Sequence, residues 1–322
     1  MKVSIFAIAV FLIVVLIVNF VIQGQAVVNF QTEDNGRIIL DIKNGMGFNE
    51  ITEAVSRANL INSKSIFKIY SVLTGRAHQF KSGRYIFNGV VSIGNLMKIL
   101  ANGPSEIEAT IFPGMTLEEI DGRLSESGII EKGALEYQND LEGFLFPDTY
   151  RFYPNFDAGT VIEKILKNFE TKTKPILSVN KDLTFFKGND NLYKLLIIAS
   201  LLEKEIPNAE EQRIAAGIIE KRLKSGMLLQ IDATVIYAKC REFLNCPALK
   251  KEDYLIDSKY NTYRYVGLPP TPIGNPGLQA ILSAINKKNS DYWYYLSDQK
   301  TKKTIFSKTL EEHNKNRKKY LN

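Results

Sequence analysis

The sequence predicts an α+β protein made of an N-terminal transmembrane helix, a small α/β domain and a larger, mostly helical domain. Three observations predict this fold class: an uncharged apolar run opens the chain, strand-like and helical patterns alternate over its first third, and helical patterns dominate the rest. A chain of 322 residues can form two domains with their own hydrophobic cores. The predicted divisions are residues 1–24 for the cytoplasmic start and anchor, 25–35 for a linker, 36–105 for the small domain and 106–322 for the helical domain.

The apolar run is long enough to cross a bilayer. No charged residue occurs between positions 3 and 32, and residues 3–22 are almost entirely apolar. At about 1.5 Å per residue this stretch spans about 30 Å, the thickness of the hydrocarbon core. Because Lys2 precedes the run, the positive-inside rule places everything after residue 24 outside the cytoplasm. A cleaved signal peptide is the alternative, since residues 24–26 resemble a small-x-small cleavage site, but signal cores are usually shorter.

Charge and ligand spacing give little support to a nucleic-acid or metal site. The net charge is only +6, and the dense basic cluster at residues 315–319 is typical of a solvated terminus. The two histidines, His78 and His313, lie far apart and have no cysteine or carboxylate at ligand spacing. We therefore expect no metal, no cofactor and no nucleic-acid partner.

The small domain contains a motif that recurs at the start of the helical domain. The segment from Gly45 to Ile61 matches the segment from Gly114 to Ile130, a shift of 69 residues. A β-type run precedes each copy, and apolar residues at helical spacing follow each glycine. Each copy therefore predicts a strand, a tight glycine turn and a short amphipathic helix.

The rest of the small domain predicts one more strand and one more helix. Residues 81–87 have the strand pattern, and residues 92–100 have a helical pattern that Asn102, Gly103 and Pro104 end. Strand, helix, helix and strand is the order of a LysM-like wall-binding module, although such patterns fit many small domains. The domain boundary is predicted at residues 104–106.

Helices dominate the second domain. They are predicted over residues 158–174, 190–206 and 208–225. Asn208, with Glu211 three positions later, resembles a capping box, and Ser225 with Gly226 is typical of a helix end. Before these helices, residues 141–150 combine aromatic residues with acids. Core packing accounts for the aromatic side chains, but it accounts less well for Glu142.

The apolar helix over residues 190–206 ends in two acids, Glu203 and Glu205, directly before Pro207. A carboxylate in the last turn faces the negative end of the helix dipole, and apolar neighbours disfavour its charge. Both effects raise its pKa, which suits a general acid. The alternative is that both acids are solvated or paired with Lys204, Lys221 or Arg222. Helix geometry does not choose between the two acids.

Residues 260–277 form a segment rich in Pro, Gly, Asn and Tyr. Pro269, Pro270, Pro272 and Pro276 exclude a helix or a central strand here. A rigid, extended segment that presents amide and phenol groups suits the rim of an elongated polar ligand. A purely structural loop is the alternative.

Several of these segments resemble the motifs of one family. Residues 199–205 read Ala-Ser-Leu-Leu-Glu-Lys-Glu and resemble the A-S-[IL]-[IVL]-E-K-E signature of endolytic murein transglycosylases, the YceG-like group. Further matches follow in order at residues 141–150, 217–223, 226–237, 260–263, 267–277, 292–298 and 306–314. Two features depart from the family. Ala233 stands where the family commonly has Pro, and residues 238–259 match poorly.

The resemblance implies a LysM-like domain followed by a mostly helical, lysozyme-related catalytic domain. Glu205 corresponds to the catalytic acid of the family. The implied enzyme is a lyase that cuts peptidoglycan glycan strands internally and leaves 1,6-anhydro-N-acetylmuramic acid ends. It would lie in the bacterial cell (inner) membrane as a single-pass protein, with its catalytic part on the extracytoplasmic side, beside glycan-polymerising synthases. The candidate substrate-binding residues are Gln230, Asp232, Asn261, Tyr263, Asn275 and Glu142; Asp232 could instead cap a helix that starts at residue 233.

Two other functions stay open. A hydrolytic muramidase would pair Glu205 with a second acid, Asp232 or Glu142, that activates water. A non-catalytic wall-binding scaffold would not need Glu205 at all.

Cys240 and Cys246 are expected to form a disulfide. They are the only cysteines, and the predicted topology places both in an oxidising compartment. The segment between them is short and Pro247 follows, which suits a loop that doubles back. Two free, half-buried thiols are the alternative.

Overall fold

The computed structural model of the chain describes residues 10–15, 18, 37–88, 91–135, 139–154, 156–177, 190–298 and 300–321. The chain divides into two compact units, residues 1–107 with 152–155, and residues 108–151 with 156–322. The domain identities expected for residues 36–105 and 106–322 stay predictions.

In its described part, the first unit contains an antiparallel strand pair and three helices. Strand β1 (Arg37–Ile42) pairs with β2 (Gly83–Asn88) so that Ile42 lies opposite Gly83. Helices α1 (Phe48–Arg57) and α2 (Lys64–Leu73) lie between the strands in sequence, and α3 (Ile93–Asn102) follows β2. These elements bury a core that includes Leu40, Val55, Phe67, Phe87 and Leu96. The first four elements are therefore strand, helix, helix and strand.

Helix α2 is the element of this unit that the sequence analysis did not predict. Its start is defined by Ser63, whose hydroxyl accepts a hydrogen bond from the N–H of Ile66 at 3.4 Å. The buried residues of α2 include Phe67, while Ile69 and Leu73 are exposed. Apolar residues on both faces weaken the amphipathic signal on which sequence prediction depends.

The repeated motif is confirmed. Gly45 and Gly114 have φ angles of +85° and +82°, in the left-handed region that favours glycine. Helix α1 follows the first glycine and α4 (Leu117–Glu126) follows the second. The carboxylates of Glu50 and Glu119 each accept a hydrogen bond from the N–H of the residue that caps their helix.

The second part of the chain is mostly helical and also contains short paired strands. Strand β3 (Ile107–Thr110) pairs with β4 (Thr149–Phe152), and β5 (Tyr294–Ser297) pairs antiparallel with β6 (Thr304–Ser307). Its helices after α4 are α5 (Ala158–Leu177), α6 (Asp190–Glu205), α7 (Ala209–Lys224), α8 (Asp232–Cys240), α9 (Leu278–Ile285) and α10 (Leu310–Tyr320), with short 3-10 turns at Asn139–Leu141 and Lys251–Leu255. The three predicted helices correspond to α5, α6 and α7 and are confirmed.

Helix α6 lies in the core of the second unit. Leu196, Ala199 and Leu201 are completely buried and belong to the same apolar cluster as residues of α7, α8 and α9. Asn208 caps α7 as predicted, because its side-chain oxygen accepts hydrogen bonds from the N–H groups of Glu210 and Glu211 at 2.9 and 3.1 Å. The start of α7 is therefore fixed directly after the C-terminal end of α6, which carries Glu203 and Glu205.

The predicted transmembrane helix is corrected by the structure. Among the described residues, no helix combines the length and the apolar character that crossing a membrane requires. Of the predicted anchor over residues 1–24, only residues 10–15 and 18 are described. The prediction of a single-pass protein in the bacterial cell membrane is corrected with it. The remainder of the anchor and the linker at 25–35 lie outside the described residues.

The predicted disulfide is confirmed. Cys240 and Cys246 are bonded, with their Cα atoms 5.8 Å apart. Cys240 is the last residue of α8, and Arg241 ends the helix with a φ of +59°. The bridge therefore closes a small loop at the C-terminus of α8, and we call residues 240–246 the disulfide loop.

Candidate active site

The two acids in the C-terminal turn of α6, Glu203 and Glu205, bind different partners. Glu203 accepts a hydrogen bond through Oε2 from the N–H of Gly277 at 2.9 Å. Glu205 accepts one through Oε1 from the N–H of Ala233 at 3.2 Å. These contacts favour two acids bonded to backbone N–H groups over the alternative of two solvated or ion-paired acids, with Lys204 adding only an electrostatic effect on Glu203. Lys221 and Arg222, which could have paired with them, donate to backbone carbonyls.

Glu205 is half-buried and holds its proton more tightly than an ordinary glutamate. Burial is the largest cause and the nearby negative charge of Asp232 adds to it; together they raise the pKa of Glu205 to about 7, against the opposing effect of the Ala233 N–H. The carbonyl oxygen of Glu205 also accepts a hydrogen bond from the Ser297 hydroxyl at 3.2 Å. Both the side chain and the backbone of this residue are thus held in place.

The helix ends around Glu205 act on its charge in opposite directions. Glu205 is the last residue of α6, where the helix dipole disfavours a negative charge. Its carboxylate meets the first turn of α8, where the N–H of Ala233 has no partner within its own helix. A carboxyl placed between a repelling and an attracting helix end can both donate and accept a proton near neutral pH.

Glu203 is half-buried for a structural reason. Burial raises its pKa, and the hydrogen bond from the N–H of Gly277 lowers it. Gly277 is the residue that precedes α9, so Glu203 fixes the start of that helix against the end of α6. This contact distinguishes the two acids, which helix geometry alone could not do.

Asp232 is exposed and lies next to Glu205, together with two tyrosines. Its Oδ1 accepts hydrogen bonds from the hydroxyls of Tyr263 at 2.5 Å and Tyr254 at 3.3 Å. The two tyrosine rings meet edge to face at 4.8 Å. Burial and the charge of Asp232 raise the pKa of Tyr254 to about 12. The expectation that Asp232 caps a helix starting at residue 233 is corrected, because α8 includes Asp232 and its side chain makes no capping bond.

Gln230 lies on the open side of the same site. Its side chain is exposed and makes no hydrogen bond to any part of the chain that the structure describes. Its backbone has a φ of +51°, which is uncommon for a non-glycine residue, and its N–H donates to the carbonyl of Thr262 at 3.1 Å. The amide of Gln230 is therefore available to a ligand while its backbone is fixed.

Asn261 is placed differently from its expected role. It is completely buried, and its Nδ2 donates to the carbonyls of Tyr254 and Ile256 at 3.0 and 2.9 Å. Its Oδ1 accepts from the N–H of Tyr263 at 3.0 Å. With these atoms engaged, Asn261 positions the two tyrosines that bind Asp232, and direct contact with a sugar does not fit its burial.

Asn275 and Glu142 belong to a buried polar network that contacts α8 at Tyr237, one helical turn after Ala233. The Oδ1 of Asn275 accepts from the N–H groups of Gly143 and Leu145 at 2.9 and 2.8 Å, and its Nδ2 donates to Glu142 Oε1 at 3.0 Å. Glu142 also accepts from Tyr237, on α8, at 3.0 Å. Asn275 is 0 % and Glu142 3 % exposed, and burial raises the pKa of Glu142 to about 7. These positions fit residues that hold α8 in place better than residues that touch a sugar.

The structure thus brings together Glu205, Gln230, Asp232 and Tyr263, and it separates Asn275 and Glu142 from them. It also adds residues that the sequence analysis did not select. Tyr254 lies in the stretch that matches the family poorly, so no motif indicated it. Tyr295 carries a raised pKa, caused by burial and by the charge of Glu205, and lies within the matching stretch at residues 292–298. Among the described residues, no cluster of three or more His, Cys, Asp or Glu could hold a metal ion.

A sequence profile of the YceG-like family matches residues 40–319. The chain belongs to the YceG-like family. The match includes α6 with both acids, the first turn of α8 and the tyrosine pair, so the site described above lies within the matched residues.

This YceG-like chain is similar to three further proteins. The endolytic murein transglycosylase of Bacillus subtilis is 28% identical over 312 residues, covering 88% of this chain and 84% of that protein. The endolytic murein transglycosylase of Streptococcus pneumoniae D39 is also 28% identical, and the chain spans 58% of its length. The 2.6 Å crystal structure of a yceG-like protein from Listeria monocytogenes has a TM-score of 0.54 at 27% identity, covering 88% of this chain and 99% of that one.

Proposed function

We propose that this chain is an endolytic murein transglycosylase, a lyase that cuts the glycan strands of peptidoglycan internally. The observation that carries the proposal is the position of Glu205. It is a half-buried carboxyl with a pKa of about 7, held at the start of α8 beside an open face that bears Gln230 and Asp232. The relatives named endolytic murein transglycosylase support the same activity.

One carboxyl can carry out both proton transfers of this reaction. Protonated Glu205 donates its proton to the glycosidic oxygen that links C1 of N-acetylmuramic acid to N-acetylglucosamine, and that bond breaks. The C6 hydroxyl of the same muramic acid then bonds to C1, and its proton passes to the ionised Glu205. The product is a 1,6-anhydro ring, Glu205 is protonated again and no water is consumed.

The surroundings of Glu205 suit each half of the cycle. Burial and Asp232 favour the protonated form before bond cleavage. The N–H of Ala233 stabilises the carboxylate that remains after the proton has left. Gln230 and Tyr263 are the residues that we assign to sugar hydroxyl and acetamido groups, while Asn261, Asn275 and Glu142 position the elements that carry the site.

The first unit and the cellular setting complete the proposal. The strand, helix, helix, strand order of β1, α1, α2 and β2 supports a LysM-like module that holds glycan. A glycan-cutting enzyme with such a module would limit strand length beside the synthases that polymerise the strands.

A hydrolytic muramidase is the second candidate, and one observation favours it. Asp232 is an exposed carboxylate close enough to Glu205 to raise its pKa, as the second acid of a hydrolase would be. Glu142 is less suitable because it is buried and its oxygens are bonded to the protein.

Mass spectrometry of cleaved peptidoglycan tests the proposal. Purified wild-type chain is expected to release fragments with anhydro ends, and Glu205→Gln to release none. Glu203→Gln is the matched control, because its amide oxygen can still accept the hydrogen bond from Gly277, and it is expected to retain activity within about threefold. Reducing ends from the wild type would favour the muramidase, full activity of Glu205→Gln would refute the catalytic role of Glu205, and a wild type that makes no new ends would refute both enzymatic functions.

A further inference from the structure

A cavity of the second unit is lined by Lys204, the neighbour of Glu205 in sequence, but not by Glu205 itself. Its volume is about 1180 Å³. Its lining includes Cys240 and Arg241 at the C-terminal end of α8, whereas Glu205 contacts Ala233 at the N-terminal end of the same helix. None of the residues that surround Glu205 in the candidate active site lines this cavity.

The disulfide loop forms one wall of the cavity and is firmly attached. The carboxylate of Glu119 accepts hydrogen bonds from the N–H groups of Phe243 at 2.6 Å and Leu244 at 3.0 Å. The same carboxylate caps α4 through the N–H of Thr116. The disulfide and Glu119 therefore hold this wall in a fixed shape, as a preorganised binding site requires.

Four cations line the cavity without a salt bridge to a carboxylate, although Glu119, Glu142 and Glu203 stabilise the charge of Lys204 from a greater distance. They are Arg123, Lys132, Lys204 and Arg241, and no ion pair joins any of them to an acid within the described residues. Lys204 is half-buried, and its Nζ lies 3.4 Å from the centre of the Phe243 ring. Burial lowers its pKa, which shows that its charge is poorly solvated.

Two of these cations are held in unusual ways. Arg123 stacks on Phe112 with its Cζ 4.6 Å from the ring centre, and its Nε is buried with no hydrogen-bond partner in the described structure. Arg241 has left-handed backbone and lies 5.0 and 4.9 Å from the rings of Tyr237 and Tyr260. The left-handed backbone of Arg241 is that of a helix end, whereas the buried Nε of Arg123 is a donor available to an anionic group of a ligand.

Apart from Glu118, the acids that line the cavity divide into two kinds. Glu119, Asp121 and Glu142 accept hydrogen bonds from backbone N–H groups, and Glu119 and Glu142 also favour the charged form of Lys204. Glu126 and Glu242 form no hydrogen bond or ion pair with the described part of the chain. The cavity therefore offers both unpaired cations and unpaired acids, which match a ligand with carboxylates and an amine.

Resting on the proposed function, we propose that this cavity binds the peptide stem that peptidoglycan carries on its muramic acid. The stem has free carboxylates for Lys204 and Arg123, and its diamino acid has an amine for Glu126 or Glu242. The cavity lies beside the end of α6 that carries Glu205, because its lining includes Lys204, the residue directly before Glu205, and Tyr237, one turn after Ala233 on α8. A stem of about four residues in extended form reaches about 14 Å, so a muramic acid at Glu205 can place its stem in the cavity.

The test compares cleavage of glycan strands with and without stems. Full-length chain is assayed on intact strands and on strands stripped of peptide by an amidase, and kcat/KM for anhydro-end formation is measured on each. The wild type is expected to prefer intact strands about tenfold. In Lys204→Gln and Arg123→Gln this preference is expected to fall to about twofold or less. Lys194→Gln, an exposed position on the same helix as Lys204, is the matched control and is expected to keep the wild-type preference.

The outcomes separate this inference from the proposed function. A variant that cleaves stripped strands is folded. The ratio of kcat/KM on intact strands to kcat/KM on stripped strands therefore measures the contribution of the stem alone. A wild type without preference, or a preference unchanged in both cavity variants, would overturn the stem site while leaving the transglycosylase intact. Failure to form anhydro ends on either substrate would instead refute the proposed function.

Discussion

Replacing Glu205 with Gln is expected to stabilise the protein above neutral pH while it removes the activity. In the folded chain the pKa of Glu205 is about 7, compared with its ordinary value of 4.5. Between these two values the unfolded chain releases a proton that the folded chain retains, so ionisation favours the unfolded state. The stability that is present below pH 4.5 is therefore lost as the pH rises to 7, and it stays lost above it.

The size of the expected stability difference follows from the shift in the pKa of Glu205. A difference of roughly 2.5 pKa units corresponds to about 3 kcal/mol, at about 1.4 kcal/mol per unit. Gln does not titrate, and its side-chain oxygen can still accept the hydrogen bond from Ala233. The free energy of unfolding of Glu205→Gln should therefore equal that of the wild type near pH 4 and exceed it by up to about 3 kcal/mol at pH 8.

Urea unfolding at these two pH values provides the assay. Glu163→Gln, at an exposed position on α5, is the matched control and is expected to follow the wild type at both. Equal stability of Glu205→Gln and wild type at pH 8 would refute the reasoning, because Glu205 would then ionise in the fold as easily as in the unfolded chain and could not hold a proton for catalysis.

Three further substitutions test the contacts around Glu205. Ala233→Pro removes the N–H that stabilises the Glu205 carboxylate, at a first-turn position that tolerates proline. The pKa of Glu205 should therefore rise, and the alkaline limb of the pH–rate profile should move to higher pH. An unmoved limb would mean that this hydrogen bond has no effect on the charge of Glu205. Asp232→Asn removes a negative charge and should move the same limb down while anhydro ends still form, whereas complete loss of activity would favour the muramidase. Asn275→Ala leaves the N–H groups of Gly143 and Leu145 without partners and removes one hydrogen bond from buried Glu142, so it should cost about 3 kcal/mol or more in urea unfolding; a cost below about 1 kcal/mol would contradict the network.

The sequence predicted those parts of the site that depend on local pattern. Apolar periodicity located α6, and the position of Glu205 in its last turn predicted a raised pKa from burial and the helix dipole. The sequence could not show that the N–H of Ala233 meets this carboxylate, because that contact joins residues on two different helices. The choice between Glu203 and Glu205 depended on resemblance until the structure showed the separate partners.

The asparagines show why polar loops mislead sequence analysis. Asn261 and Asn275 lie in a segment rich in proline and glycine, and amides in such segments resemble ligand contacts. A segment without regular structure also leaves backbone N–H and carbonyl groups unpaired, and these need partners when they are buried. Both asparagines supply such partners, so their burial follows from the same irregular backbone that made them look functional.

The transmembrane prediction depended on residue type alone. An apolar run of about twenty residues is sufficient in length, but length and composition do not establish which residues form a continuous helix. The disulfide prediction succeeded because two cysteines separated by a short loop leave few alternatives for pairing.

Cleavage of peptidoglycan in water enriched in oxygen-18 tests most directly the claim that Glu205 performs both proton transfers without water. We predict that the new ends made by the wild type contain no oxygen-18 and are lighter by one water than reducing ends, and that Glu205→Gln makes no new ends. Oxygen-18 in the new ends would contradict the account, because water and not the C6 hydroxyl would then have attacked C1.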